Sequence, residues 1–157
     1  MPDLVWGIDV STKRIAFATS AGQSGSVKVP PGLDGGARLF AARTAMWHFA
    51  REFATDHPPL YVWIEQPAGK PRPHPSLIEM VGVTKEAVYG VLSTLYPFPV
   101  TVGEVAVAKW KAAVLSGRAD KETIMEWAMT VGSPANQDEA DALGIAIGGL
   151  ALMGSQG

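Results

Sequence analysis

Acidic residues mark three apolar segments that lie far apart in the chain. Asp9 stands near the close of LVWGIDV, Glu65 ends LYVWIE, and Asp138 and Asp141 open NQDEADALGIAIGG. Each type has an ordinary use. Asp often closes a strand into a turn, and acidic residues in a helix's first turn complement its dipole. Glu65 also has a bland reading, a solvated strand end, but a charge on an apolar strand is costly unless it emerges there or is bound. Asp138 and Asp141, at i and i+3, share one helix face. Beyond Asp141 the segment is apolar almost all round, and Gly144, Gly148 and Gly149 permit close packing. That helix must be buried, with its acidic start held against the sheet. Glu139 points about 100° away from Asp138, which reads as a solvated residue or one standing behind its neighbours.

If the strand-end carboxylates and the DxxD pair converge, they repel one another and raise each other's pKa. Clusters of oxygen donors of this kind suit Mg²⁺ or Mn²⁺. Two such ions about 4 Å apart activate a water, stabilise a leaving oxygen and drive phosphodiester hydrolysis without a histidine base. Convergence carries this reading, not any single Asp.

The elements that must bring them together follow from pattern. Residues 4–10 and 14–20 read as strands, and SVKVP, closed by Pro30 and Pro31, as a third, which makes an antiparallel meander. Helical spacing of Leu39, Ala42, Met46, Phe49, Ala50 and Phe53 predicts a helix over 35–56, capped by Asp34. The apolar run 60–65 predicts a buried parallel strand. After the loop PAGKPRPHP come a helix over 76–96, a fifth strand near 99–104, and helices over 105–115, 120–131 and 137–153. This order favours an α/β fold with a mixed sheet flanked by helices on both faces. No repeat or linker divides the chain, so residues 1–157 are expected to form one domain.

Composition narrows the classes further. With 47% apolar residues in 157 the chain can build a core, and the absence of Cys excludes a disulfide scaffold, a thiolate metal site and a cysteine nucleophile. The start, MPDLVWGIDV, lacks the pattern of a secretion signal, and no apolar run reaches the ~18 residues of a membrane span. A soluble cytoplasmic protein is expected. The formal net charge of −2 does not argue against a nucleic-acid partner, because bound metal would cancel several of the carboxylates.

GIDVSTKRIAFA, YVWIEQP and DEADALGIAI, in that order, resemble the RuvC-type Holliday junction resolvases of the ribonuclease H-like superfamily, over about residues 4–149. The resemblance implies a ribonuclease H-like fold with a five-stranded mixed sheet. It also implies a metal-dependent endodeoxyribonuclease, a homodimer that nicks opposed strands of a four-way junction. Asp9, Glu65, Asp138 and Asp141 match the family's metal ligands, with two Mg²⁺ (or Mn²⁺) per site and Asp9 bridging them. Lys121, in ADKET, matches a basic position suited to steadying the scissile phosphate. A less selective branched-DNA or RNA nuclease would use the same carboxylates, and a non-catalytic DNA-binding dimer would not need them. GIDVSTK alone also resembles YqgF-type ribonucleases and the phosphate loop of actin-like ATPases, a nucleotide-binding fold that needs a second similar domain.

Two basic clusters suit DNA phosphates: Lys70, Arg72 and His74 after Glu65, and Lys109, Lys111 and Arg118 before the acidic helix, with Lys13 and Arg14 just past Asp9. All fit solvated faces equally well. The loop after Glu65-Gln66 has Ala68 where the family often carries an aromatic; His74 is the residue there able to stack, though it also fits a rigid solvated loop. In the helix over 76–96, Leu77, Met80, Val81, Thr84, Val88, Val91, Leu92 and Leu95 form the stripe expected to cover the sheet. Ile78, Tyr89 and Tyr96, with Gly82 nearby, form a second apolar flank that suits a partner copy. Trp47, Trp110 and Trp127 read as core or rim residues.

Overall fold

The computed structural model describes residues 4–155 except 70 and 98. Strands β1 (Val5–Val10), β2 (Arg14–Thr19) and β3 (Ser24–Lys28) form the meander, followed by α1 (Gly35–Phe53), β4 (Tyr61–Glu65), α2 (Pro75–Leu95) and β5 (Val102–Val105). Three helices complete the chain: α3 (Val107–Val114), α4 (Lys121–Val131) and α5 (Gln137–Ser155). The sheet order is β3-β2-β1-β4-β5. β1 pairs antiparallel with β2 and parallel with β4, and β4 pairs parallel with β5. The mixed five-stranded sheet expected from the sequence is present. No helix among the described residues is long and apolar enough to cross a membrane.

Some boundaries differ from those the pattern predicts. β5 starts at Val102, because its pairing with β4 begins there, where Val102 faces Val62. α1 stops at Phe53, where Ala54 turns extended. Asp34 occupies the position before α1, yet its side chain makes no capping bond, and its carbonyl accepts from the Arg38 amide at 2.7 Å instead.

The two faces of the sheet differ in residue size. Trp6, Ile8, Val10, Ile15, Phe17, Val62 and Ile64 pack against α1 and α2. On the other face lie Gly7, Ala16 and Ala18, against α5. Strand alternation separates the two sets. Small side chains on the sheet meet small ones on the helix, Ala142 and Ala146 among them, so α5 can lie unusually close. A Cβ on Gly7 would run into the backbone of α5 at Ala142 and Ala146. Asp9 is two residues from Gly7 on the same strand face, so this contact also sets how near α5 comes to Asp9. Gly7→Ala is expected to destabilise by about 1–3 kcal/mol through overpacking, read as a Tm several degrees lower; an unchanged Tm would show that α5 does not seat on this glycine.

Candidate active site

β1 and β4 run parallel, and the last pair of their ladder is Ile8 with Ile64. The next residues, Asp9 and Glu65, therefore leave neighbouring strands side by side at the carboxyl end of the sheet, where open α/β folds place ligands. Asp138 in the first turn of α5 and Asp141 one turn on lie near enough to act on both. All four act on one another. Burial holds the Asp9 carboxyl well above its usual range, Glu65, Asp141 and Asp138 push it further up, and Lys121 opposes them. Glu65 is pushed up to about 7, chiefly by burial, with Asp141 and Asp138 adding to the shift and Trp110 and Lys111 opposing it. Asp141 is raised as well, again chiefly by burial, against Gln137, Lys111 and Lys121.

Each carboxylate apart from Asp9 has a polar partner of its own. The Trp110 indole N–H donates to Glu65 Oε2 at 2.7 Å. Gln137 Nε2 donates to Asp141 Oδ1 at 3.1 Å. Asp138 is ion-paired with Arg14 at 3.6 Å. Held in this way, no three acidic or histidine side chains among the described residues are arranged to enclose one ion as they stand. The donor set still fits a hard divalent cation in its chemistry: oxygen ligands from three elements, partly buried and short of compensating charge.

Of the two readings of Glu139, solvated or behind its neighbours, the structure has the second. It is not solvated but 5% exposed. Its carboxylate accepts from Ser24 Oγ at 3.1 Å, Ser26 Oγ at 2.7 Å, Asn136 Nδ2 at 3.1 Å and the Ala135 amide at 3.3 Å. Asn136 Oδ1 in turn accepts from the Glu139 amide at 2.9 Å. This resembles a capping box whose return bond goes to the amide before the cap, extended across to β3, and it pins the start of the helix that carries Asp138 and Asp141. The spacing Asn136-x-x-Glu139 is the signal that could have disclosed it.

No family model matches the sequence, and no curated protein matches it. Solved structures do. The Thermus thermophilus RuvC structure is similar over 98% of this chain and 96% of its own, with a TM-score of 0.74 at 18% identity. The same protein in complex with a Holliday junction substrate is similar over the same shares, with a TM-score of 0.71 at 19% identity. The fold is that of RuvC. A yeast mitochondrial Holliday junction resolvase is also similar, over 96% of this chain and 78% of its own, with a TM-score of 0.55 at 13% identity.

On this RuvC fold the basic residues do not form one surface. Ser11, Lys13, Arg14 and Lys28 line a cleft of about 460 Å³ together with Asp138. Lys121, at the start of α4, lies near enough to Asp9 and Asp141 to lower both. Lys111 is turned inward: its Nζ donates to the Ala119 carbonyl at 3.1 Å, stands 5.8 Å over the Trp110 ring and acts on Glu65 and Asp141. Lys109 lines a different cleft with Trp63 and Gln66. Arg72 and Arg118 are exposed, and Lys70 lies outside the described residues. His74 caps α2, its Nδ1 accepting from the Ser76 amide at 3.1 Å, so its ring serves the helix end. It also borders a cleft of about 730 Å³ on the α1–α2 side, shared with Lys13 and Arg38.

The expected second flank of α2 is smaller than its spacing predicts. Ile78 and Tyr89 are 50% and 48% exposed, but Tyr96 is 7% exposed and donates its hydroxyl to the Thr55 carbonyl at 2.8 Å. Tyr96 belongs to the core because the chain turns extended at that residue. Leu95, assigned to the covering stripe, is exposed.

The raised carboxyls make stability depend on pH in a defined direction. Glu65 titrates near 7 when folded against 4.5 ordinarily, so between those values the folded protein holds a proton that the unfolded chain releases. Its contribution is greatest below about 4.5 and is lost as pH rises through about 7; Asp9 and Asp141 act in the same sense. In EDTA, Tm should fall from pH 5 to pH 8, and Glu65→Gln should flatten that fall, raising Tm at pH 8 relative to the unaltered protein. A Tm that climbs over this interval would contradict the assignment.

Proposed function

We propose that this protein is a metal-dependent endodeoxyribonuclease that resolves four-way DNA junctions as a homodimer. The observation that supports the proposal most is the mutual electrostatic influence of Asp9 and Glu65, at the ends of neighbouring strands of a RuvC-type sheet, with Asp138 and Asp141. The similar Thermus structure in complex with a Holliday junction substrate supports branched DNA as the ligand class.

In this reading the four carboxylates bind Mg²⁺ or Mn²⁺, two ions per site. When bound, such ions supply an activated water and stabilisation of the leaving oxygen. Lys121 sets positive charge beside Asp9 and Asp141, where it can steady the charge that develops on the scissile phosphate. Lys13, Arg14 and Lys28 take neighbouring phosphates along their cleft. Lys109, Arg118 and Arg72 are the outer contacts, and Lys70 is assigned to phosphate by its place in the sequence alone. Ile78 and Tyr89 on α2 form the face for a second copy, whose two-fold symmetry would match that of a junction. DNA as substrate, and a chain without cysteine, suit the cytoplasm.

Exposed Ala68 after Glu65-Gln66 favours one alternative, a nuclease of the same chemistry that is less selective among branched DNA and RNA. Incubating the protein with an end-labelled immobile junction, flaps and structured RNA at matched salt, with and without Mg²⁺, separates the two. Paired symmetrical nicks confined to the junction and dependent on metal are expected; comparable cutting of every substrate would favour the alternative. Asp138→Asn should lower cleavage by more than the roughly 10–100-fold cost of losing a group behind a ligand, while junction binding measured in EDTA is retained. Undiminished cleavage would remove Asp138 from the site.

A further inference from the structure

Trp110 is 1% exposed, and its indole nitrogen lies 2.7 Å from Glu65 Oε2. That distance falls in the range of hydrogen bonds to ionised acceptors, below the usual 2.9–3.0 Å of neutral N–H···O bonds. Bonding of this kind does not come automatically with a tryptophan in this protein. The indole nitrogens of Trp6 and Trp63 are buried with no hydrogen-bond partner, whereas that of Trp110 is aimed at a carboxylate.

The ring that carries this donor has little freedom. A Cβ on Gly144 would run into the six-membered ring of Trp110, and one on Gly148 would meet its backbone. Gly144 lies one turn beyond Asp141 on α5, so a single side chain touches both the strand that ends in Glu65 and the helix that carries the acidic pair. The donor is also neutral. Arg14 pairs with Asp138 by opposing its charge, but an indole N–H orients a carboxylate while leaving its charge in place.

We propose that Trp110 is a positioning residue for Glu65: it holds Oε2 and so presents the other oxygen, Oε1, to a divalent cation. This rests on the reading of Glu65 as a cation ligand. Loss of the N–H donor while an aromatic side chain is kept should weaken cation binding by about tenfold, the effect expected of one hydrogen bond to a charged group.

The test is a double-mutant cycle of Trp110→Phe and Glu65→Ala, with Mn²⁺ binding measured by calorimetry in the absence of DNA. Trp110→Phe is expected to weaken Mn²⁺ binding about tenfold in the unaltered background and to add nothing in the Glu65→Ala background. Equal weakening in both backgrounds, the mark of a general packing defect, would overturn the proposal, as would unchanged affinity in Trp110→Phe. If Glu65→Ala binds Mn²⁺ as tightly as the unaltered protein, the ligand reading of Glu65 fails instead. Should Trp110→Phe not fold, indole ¹⁵N–¹H spectra of the unaltered protein and of Glu65→Ala decide: the Trp110 resonance should move and exchange faster in the variant, and an unmoved resonance would overturn the proposal.

Discussion

Everything in this site depends on how closely α5 lies on the sheet. Gly7, Ala16 and Ala18 on one side and Ala142 and Ala146 on the other leave little between backbone and backbone. In close-packed interiors a single added carbon is felt. The opposite face tolerates much larger groups, with Phe49 stacked on Phe17 and edge-on to Trp6. One face is thus built for bulk and hydrophobic stabilisation, the other for proximity. Proximity is what lets a helix start and two strand ends share one patch of space.

That patch is electrostatically expensive. Burial is the largest influence on Asp9, Glu65 and Asp141 alike, and their mutual repulsion adds to it. The protein offsets part of this with local partners: an indole for Glu65, an amide for Asp141, a guanidinium for Asp138 and two lysines nearby. None of these neutralises the group as fully as a divalent ion would. Bringing these carboxyls together therefore costs stability, and strongly perturbed titratable groups of this kind cluster at functional sites.

What could be read from the sequence was what depends on period and spacing. The apolar strand segments VWGIDV and RIAFAT, the helical repeat in α1 and the i, i+3 pair Asp138–Asp141 all follow from local pattern, and so did the sheet. Other features depend on contacts between distant residues. Tyr96 sits in phase with Ile78 and Tyr89, yet the chain leaves the helix there and its hydroxyl finds Thr55. Lys111 reads as a surface cation, but its amine is drawn inward to Ala119 and Trp110. Trp110 reads as core, which it is; nothing in its sequence surroundings tells which carboxylate its nitrogen meets. Glu139 was legible in principle, through its spacing from Asn136, but its serine partners on β3 are more than a hundred residues away in sequence.

Those serine partners lie on the outermost strand of the sheet. Among the described residues β3 pairs with β2 on one side and with no strand on the other, and segments with few buried contacts are the ones that open locally. Since Ser24 and Ser26 grip the carboxylate that anchors the beginning of α5, fraying at the sheet's margin also releases the acidic pair from its moorings. The start of α5 is thus tied to the margin of the sheet as well as to its centre.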